Sequence, residues 1–456
     1  MTKNKYKNSY NLLQNDLKNK ILLLDGAMGT MIQQEKLTAS DFGGEKYEGC
    51  NDYLVLQRPD VIKNIHKRYL EAGSDIIETN SFGALDIVLK DYDLEDKVFE
   101  MNKAAAELVN EAIDEYRSEH PEVTRNLYVA GALGPSNKSI SVTGGVTFEE
   151  LIRSYYTAVS GLMAGGVDLI LFETIQDTRN LKAAYLGLKK AMEENYTVPL
   201  MLSFTIESTG TTLAGQTADA FYYAVNHMNP FSVGLNCATG PEFMTQFLKT
   251  LNNISNTYIS VYPNAGLPNE DGEYEETPDT LSAKIEPFFQ NNYLNIVGGC
   301  CGTTPEHIQK IKEKSVNYSP RVIDENKDFN DVSGLITLET PKNRPIYVGE
   351  RTNVIGSRIF KNLIASEKFD EATEVARLQI KGRADVIDIC LANPDRDEVA
   401  DMKAFLDKVA KFAKVPLMID STDINVIKEG LTYLQGKGII NSINLEDGEK
   451  KFADMA

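Results

Sequence analysis

The chain has 456 residues, of which 42% are hydrophobic and 25% are charged, as in an ordinary globular protein. Its formal net charge of −19 argues against nucleic acid or an anionic membrane as a partner. The polar N-terminal residues lead into no apolar signal region, and no apolar run approaches the roughly 18 residues of a membrane span. Five cysteines in such a chain indicate a reducing cytoplasm, where cysteines bind metal or catalyse more often than they pair. We therefore expect a cytoplasmic protein.

Short apolar segments alternate with amphipathic segments along residues 1–315. The apolar segments predict strands at 21–25, 127–131, 167–173, 199–205, 231–237 and 293–297, a strand within 75–82 that ends at Glu78–Asn80, and a further strand that ends near Asn264. Apolar and charged residues at helical spacing predict helices between them, among which are 60–72, 94–117, 148–164 and 181–192. Near-continuous apolar strands separated by helices predict a parallel sheet that is buried on both faces.

Eight strand–helix units by residue 315 predict an α/β fold of the (β/α)8, or TIM-barrel, type. The alternative is an open doubly wound sheet, which would place a site where the strand order reverses. Polar groups, sulfur atoms or glycines follow nearly every predicted strand, namely Asp25, Glu78–Asn80, Gly134, Glu173, Ser203, Cys237, Asn264, Cys300 and Cys301. In a barrel these positions meet at one end, where active sites are built, so the barrel is the preferred prediction.

A second series of strands follows a polar segment. We expect a barrel over residues 1–320, a linker over 321–344 and a further domain over 345–456. Strands are predicted at 346–349, 386–389, 416–419 and 438–440, and a helix is predicted after Gly448. Four strand–helix units correspond to about half of a second barrel, which would leave an open sheet edge. We therefore expect this domain to be truncated and the chain to be a fragment, or the early part of a longer modular protein.

Three cysteines lie where predicted strands end. Cys237 ends one apolar run, and Cys300 and Cys301 follow another after two glycines. A catalytic zinc ion typically has three protein ligands and one open position, and a thiol that coordinates zinc is deprotonated. Three such cysteines would suit S-alkylation of a thiol substrate. The spacing is not that of a zinc finger, and free cysteines are also common as small buried residues, so the pattern alone leaves both interpretations open.

Several motifs together resemble the homocysteine S-methyltransferase family. They are Leu24-Asp-Gly-Ala-Met-Gly-Thr30, Glu78-Thr-Asn-Ser-Phe-Gly83, Gly234-Leu-Asn-Cys237, Pro263-Asn-Ala-Gly-Leu-Pro268 and Gly298-Gly-Cys-Cys-Gly-Thr-Thr304. The match runs in register from about residue 20 to 315. Residues 345–456 resemble the start of the pterin-binding, methyltetrahydrofolate domain of the cobalamin-dependent methionine synthases, on Gly349-Glu-Arg-Thr-Asn353, Leu417-Met-Ile-Asp-Ser-Thr422 and Ile439-Ile-Asn-Ser-Ile-Asn444.

The first resemblance implies a role for six residues. Cys237, Cys300 and Cys301 match the ligands of Zn2+ and are the catalytic candidates. Asn264 matches a residue that completes the zinc shell when substrate is absent. Asp25 and Glu173 match acidic groups that hold the amino group of homocysteine, which fits the attraction between an ammonium and carboxylates in a partly desolvated site. From the residues alone, Asp25 is equally a turn residue and Glu173 a helix-start residue.

The second resemblance implies a site for 5-methyltetrahydrofolate. Asn353, Asp420 and Asn441 match the pterin-contacting pattern, and Asp388 is a further candidate although the residues after it depart from that pattern. Carboxylates and carboxamides can hydrogen-bond the amide and amino edge of a pterin. The later strands of such a domain are missing, so this folate site is expected to be incomplete.

The two resemblances predict methyl transfer to homocysteine, which gives methionine. The methyl donor would be methylcobalamin on a cobalamin-binding module, in cis or in trans, because no stretch of the type that ligates cobalt is present in this sequence. One alternative is a cobalamin-independent homocysteine methyltransferase that uses a sulfonium donor. Another is a non-catalytic fragment that binds zinc and homocysteine.

Overall fold

The computed structural model describes residues 3–270, 274–324, 327, 330–340, 342, 344–445 and 448–455. The chain divides into two compact units. The first comprises Met1–Gln176, Ala183–Leu213 and Met228–Lys327, and the second comprises Asp177–Lys182, Ala214–His227 and Asp328–Ala456. Within the described residues, no helix combines the length and the apolar character needed to cross a membrane.

The first unit contains one sheet of eight parallel strands. In chain order these are β1 (Leu22–Leu23), β2 (Ile76–Glu78), β3 (Tyr128–Leu133), β4 (Leu169–Ile175), β5 (Leu200–Phe204), β6 (Ser232–Asn236), β7 (Tyr258–Tyr262) and β8 (Ile296–Val297). Each strand from β2 to β8 pairs with its neighbours in sequence, and β1 pairs with β8. A parallel bridge between Leu24 and Ile76 joins β1 to β2, so the sheet is a nearly closed barrel. The (β/α)8 prediction is confirmed, and the open doubly wound alternative is excluded.

Alternation along the strands decides which side chains fill the barrel. Leu22, Ile76, Tyr128, Leu169 and Ile296 belong to one buried apolar cluster. The first helix, α1 (Lys3–Asn19), adds Leu13 and Leu17 to this cluster. These cluster residues lie at or near the starts of their strands, so α1 packs against that end of the barrel. The strands finish at the opposite end of the barrel, where polar side chains can be accommodated.

Helices follow most of the barrel strands. They are α2 (Met28–Gln34), α3 (Leu54–Gln57), α4 (Pro59–Ala72), α5 (Asp86–Leu89), α6 (Val98–Glu119), α7 (Phe148–Gly165), α8 (Thr178–Glu194), α9 (Ala218–Val225), α10 (Pro241–Ile254), α11 (Pro278–Gln290) and α12 (Pro305–Ser315). Short 3-10 helices cover Glu45–Tyr47, Asn51–Tyr53, Lys90–Tyr92, Glu95–Lys97 and Asn226–Met228.

Local sequence signals explain where several helices begin and end. Thr147 and Glu150 form a reciprocal capping box at the start of α7. Proline occupies the first turn of α4, α10, α11 and α12, where its missing N–H has no helical partner to lose. Gly73 and Gly166 end α4 and α7 with a positive φ, which glycine adopts without steric cost.

The second unit contains a further parallel sheet, as predicted. Its strands are β11 (Val348–Gly349), β12 (Val386–Ile389), β13 (Leu417–Asp420) and β14 (Ile439–Asn441), paired in chain order. The helices α13 (Arg358–Ala365), α14 (Phe369–Lys381), α15 (Glu398–Val409), α16 (Ile424–Leu431) and α17 (Glu449–Met455) accompany them. Phe360, Phe405 and Ile419 belong to a core cluster that involves both helices and sheet. An antiparallel pair, β9 (Val332–Ser333) and β10 (Thr337–Leu338), lies within the segment predicted as a linker.

Candidate functional site

Three cysteine side chains meet at the end of the barrel where the strands finish. Cys237 follows β6 directly, and Cys300 and Cys301 follow β8. Sγ of Cys301 lies 3.8 Å from Sγ of Cys237 and 4.0 Å from Sγ of Cys300, and all three sulfur atoms are within 4.8 Å of one another. Tetrahedral zinc with bonds of about 2.3 Å to sulfur requires sulfur atoms about 3.8 Å apart. The three cysteines therefore fit a zinc ion, and theirs is the one such cluster among the described residues.

The loops that carry the cysteines are held together by backbone hydrogen bonds. The N–H of Cys300 donates to the carbonyl of Pro263, and the N–H of Ala265 donates to the carbonyl of Cys301. Asn264 lies between Pro263 and Ala265 in the chain, and its Oδ1 is buried without a hydrogen-bond partner. An orphaned oxygen beside the thiols is consistent with a side chain that can approach a bound cation.

The three thiols compete for negative charge. Hydrogen bonds from Cys237 and Cys300, together with one from Tyr274, lower the pKa of Cys301 to about 3. The hydrogen bond from Cys300 has the largest single effect on the pKa of Cys237 and lowers it, but the hydrogen bond to Cys301 and burial together raise this pKa to about 11. The pKa of Cys300 is raised well above its usual range by the hydrogen bonds that it makes to Cys237 and Cys301. Thiolate formation is thus favoured at Cys301 and disfavoured at Cys237 and Cys300, and a bound divalent cation would stabilise all three thiolates.

Acidic side chains border the cysteines. Asp25 follows β1, and its Oδ2 accepts a 3.0 Å hydrogen bond from the main-chain N–H of Glu78. The other oxygen, Oδ1, is buried without a hydrogen-bond partner. The carbonyl of Asp25 accepts the N–H of Gly299, next to Cys300, so this carboxylate is tied to the cysteine loop. Glu173 lies near the end of β4 and is only 6% exposed.

Burial destabilises the charged form of these carboxylates. It raises the pKa of Asp25 well above the usual range, and the negative charge of Glu173 adds to the effect. Burial, followed by the charge of Cys301, raises the pKa of Glu173 to about 8. Buried carboxylates with repulsive neighbours gain most from a cationic ligand such as an ammonium group.

Two further residues belong to this site, although the sequence motifs assigned them no role. Glu78 faces the barrel interior, since Ile76 two residues before it belongs to the interior cluster. Its pKa is raised by burial and by the charges of Glu173 and Asp25. Tyr274 hydrogen-bonds Cys301 and packs against Gly302 so closely that a Cβ there would lie 2.3 Å from its ring. The alternation of inward-facing positions along β2 was the available signal for Glu78. We find no comparable signal for Tyr274.

A second group of candidate residues meets at the ends of the strands in the second unit. Nδ2 of Asn353 donates to Oδ2 of Asp388 at 3.1 Å and to Oδ2 of Asp420 at 3.3 Å. Asn441 is paired with Asp420 in the β-ladder, and its carbonyl accepts the N–H of Ser421. Burial raises the pKa of Asp388 to about 6, and its Oδ1 is buried without a partner. The four residues named from the sequence thus lie at one edge of the sheet.

Comparisons with known proteins match both parts of the chain. Residues 22–315 match the family model described as Homocysteine S-methyltransferase, and residues 349–456 match the one described as Pterin binding enzyme. The oxidized form of the homocysteine methyltransferase MmuM from Escherichia coli is 23% identical, with a TM-score of 0.55 over 67% of this chain and 99% of its own. The metallated form of MmuM is 24% identical, with a TM-score of 0.53 over 65% of this chain and 97% of its own. These two structures share the barrel fold.

The barrel and its three clustered thiols define a class of TIM-barrel proteins in which three cysteines could hold a metal ion. The first match covers well over half of the chain, and the chain therefore belongs to the homocysteine S-methyltransferase family. A pterin-binding domain follows the methyltransferase domain, in the order found in the N-terminal part of methionine synthase.

Proposed function

We propose that this chain methylates the thiol of homocysteine to give methionine, with zinc held by Cys237, Cys300 and Cys301. The observation that carries the proposal is the convergence of three thiols with buried carboxylates at one end of the barrel. Glu173 and Cys301 lie close enough to interact electrostatically. A short amino acid with a thiol at one end and an ammonium at the other matches this combination.

Each part of the site has its own role in the proposal. Bound zinc would stabilise the thiolate of a substrate that occupies its open coordination position. Asp25 and Glu173 would hold the ammonium group, and the position of Asn264 beside the thiols suits a residue that yields to the substrate. A bond then forms between the substrate sulfur and the methyl carbon. The bond between that carbon and the donor breaks, and its electron pair stays with the donor. The proton of the substrate thiol is released to solvent. Catalysis would rest on orientation and on thiolate formation.

The presence of a pterin-binding domain supports methylcobalamin as the direct donor. In this proposal Asn353, Asp388, Asp420 and Asn441 contact 5-methyltetrahydrofolate, which recharges a cobalamin carried by another module in cis or in trans. We propose residues 1–320 as the methyltransferase domain, 321–344 as the connection and 345–456 as the pterin-binding domain. The hydrogen-bonded amide and carboxyl groups of Asn353, Asp388 and Asp420 suit the polar edge of a pterin.

Methionine formation from homocysteine tests the proposal. The purified chain, with its zinc content measured, would be incubated with free methylcobalamin and, in parallel, with S-methylmethionine. We expect methionine with methylcobalamin and none after zinc removal. Methionine with the sulfonium alone would move the chain to the cobalamin-independent branch. No methionine from either donor, with zinc and homocysteine both bound, would indicate a binding module without methyltransferase activity.

Pterin binding is tested separately by titration with 5-methyltetrahydrofolate. We expect Asp420→Ala to weaken binding and Glu371→Gln to leave it unchanged. Glu371 is exposed on α14 and pairs only with Lys368 among the described ion pairs, so its replacement removes one charge from the same unit without touching the candidate site. Equal affinity for wild type and Asp420→Ala would refute this assignment.

A further inference from the structure

One buried amide side chain links the two halves of the candidate active site. Asn236 is the last residue of β6 and is completely buried. Its Oδ1 accepts the N–H of Thr174 at 3.0 Å and the hydroxyl of Ser203 at 2.7 Å. Its Nδ2 donates to Oγ1 of Thr174 at 2.8 Å and lies 4.0 Å from Sγ of Cys300. An asparagine amide has two acceptor positions and two donor hydrogens, and all four are used here.

The first half of this network holds a strained backbone. Thr174 has a φ of 54°, in the left-handed region that β-branched residues rarely adopt. The register between β4 and β5 shifts between Phe172 and Ile175, so Thr174 lies in an irregular segment of β4. Its neighbour is Glu173, the proposed ammonium ligand. Strain of this kind persists only where surrounding contacts impose it, and Asn236 bonds both the N–H and the hydroxyl of Thr174.

The second half of the network reaches the thiols. Nδ2 of Asn236 lies within a long hydrogen-bonding distance, 4.0 Å, of the sulfur of Cys300, and the next residue in the chain is Cys237. Cys237 also has a left-handed backbone, with a φ of 55°. Displacement of the Asn236 side chain would therefore disturb the position of Glu173 on one side and of two thiols on the other.

We propose that Asn236 is a positioning residue that couples the metal site to the amino-acid site. It holds the backbone that orients Glu173, and it holds the Cys300 thiolate in its metal-binding position. Aspartate would lack both donor hydrogens, and leucine would lack all four contacts, so the amide is specifically required. The inference rests on the proposed function, because it assigns Asn236 to the zinc and homocysteine sites together.

The test separates the two halves by measuring two equilibria that need no turnover. Zinc affinity is measured by competition with a chelator. Binding of norleucine, an α-amino acid without a thiol, is measured by calorimetry and reports the carboxylate half alone. For Asn236→Ala we expect zinc affinity to fall about 10- to 100-fold and norleucine affinity to fall about tenfold. A loss confined to one of the two equilibria, or values within twofold of wild type for both, would overturn the coupling.

Two further variants make the result decisive. Thr174→Val keeps the branched shape but removes the hydroxyl that Asn236 bonds, so we expect about a fivefold loss of norleucine affinity and unchanged zinc affinity. This variant decides the question if Asn236→Ala does not fold, and unchanged norleucine binding would then overturn the proposal. Ser232→Ala is the matched control, because Ser232 is buried on the same strand and its hydroxyl has no partner. It should match wild type in both measurements.

Measurements on the wild-type protein in the same series separate a failure of the role proposed for Asn236 from a failure of the proposed function. Wild type that binds zinc and forms methionine, beside an Asn236→Ala variant with unaltered affinities, would refute only the role of Asn236. Wild type that binds no zinc would refute the proposed function, and the coupling with it.

Discussion

The main-chain N–H of Glu78 donates a 3.0 Å hydrogen bond to Oδ2 of Asp25, while Oδ1 of the same carboxylate is buried without a partner. Asp25 is thus held by one oxygen, and in the proposed function the other oxygen accepts the ammonium group of the ligand. The hydrogen bond also joins the ends of β1 and β2, the strands that close the barrel. A half-satisfied buried carboxylate is unfavourable in the free protein, and this explains why a cationic ligand is expected to bind there.

Asp25→Asn should weaken homocysteine binding and leave the fold intact. The substitution keeps the shape but removes the charge, and hydrogen bonds to charged groups contribute about 1.5–3 kcal/mol, so the affinity should fall about 10- to 100-fold. The free energy of unfolding should rise or stay unchanged, because a buried charge is removed. Calorimetry and urea unfolding measure the two effects. Glu111→Gln, at an exposed position on α6, is the control for charge. Unchanged homocysteine affinity would contradict the role of Asp25.

Cys300→Ala should abolish zinc binding and methyl transfer together. Two thiols that remain cannot supply the three protein ligands of a catalytic zinc site. We expect zinc to drop from one equivalent to a small fraction and methionine formation to fall by at least about 100-fold. Metal analysis and the methylcobalamin assay measure these losses. Cys50→Ala is the matched control, since Cys50 is buried but lies outside the cluster. Activity retained without zinc would eliminate the mechanism.

Asp388→Asn should remove a pH dependence of stability. The usual pKa of 3.8 is raised to about 6 in the folded chain, so the folded state binds more protons than the unfolded state between these values. The contribution of Asp388 to stability is therefore greatest at low pH and is lost as the pH rises through about 6. The loss is of the order of 1–3 kcal/mol. Urea midpoints at pH 4.5 and pH 7 for wild type, Asp388→Asn and Glu371→Gln measure it. Equal pH slopes in wild type and Asp388→Asn would show the prediction to be wrong.

Gly298→Ala should destabilise the barrel and weaken the zinc site. A Cβ at Gly298 would lie 2.7 Å from Cβ of Leu24 and 2.8 Å from the carbonyl oxygen of Asp25. Overpacking of this kind lowers the unfolding free energy by about 1–3 kcal/mol, and the displaced loop carries Cys300. Gly29→Ala is the control, because its Cβ would meet no atom nearer than 4.0 Å within α2. It should be neutral or stabilising by up to about 1 kcal/mol. Similar stabilities for the two variants would count against close packing at Gly298.

Much of the fold was predictable from local pattern. The strand predicted at 386–389 is β12, and the helix predicted at 148–164 is α7 within one residue. Within the segment 75–82 the strand was predicted to end at Glu78–Asn80, and β2 ends at Glu78. Beyond it Thr79 and Ser81 turn their hydroxyls into a local network, in which Oγ1 of Thr79 lies 2.6 Å from Oγ of Ser81. Side chains that bond within a loop compete with the β-ladder, and hydrophobicity alone does not reveal where they prevail.

From the sequence, the apolar runs favoured a parallel barrel with polar groups and cysteines at the ends of its strands, and the family resemblance implied that Cys237, Cys300 and Cys301 share a metal site. Apolar runs separated by helices predict parallel strands. In a barrel all parallel strands finish at the same end, so the groups that follow them meet there. Only the tertiary structure decided that Tyr274 bonds Cys301, that burial and the charges of Glu173 and Asp25 raise the pKa of Glu78, and that Asn236 bonds Thr174 in its left-handed conformation. Those relationships depend on distance and desolvation between residues far apart in the chain, which no local spacing encodes.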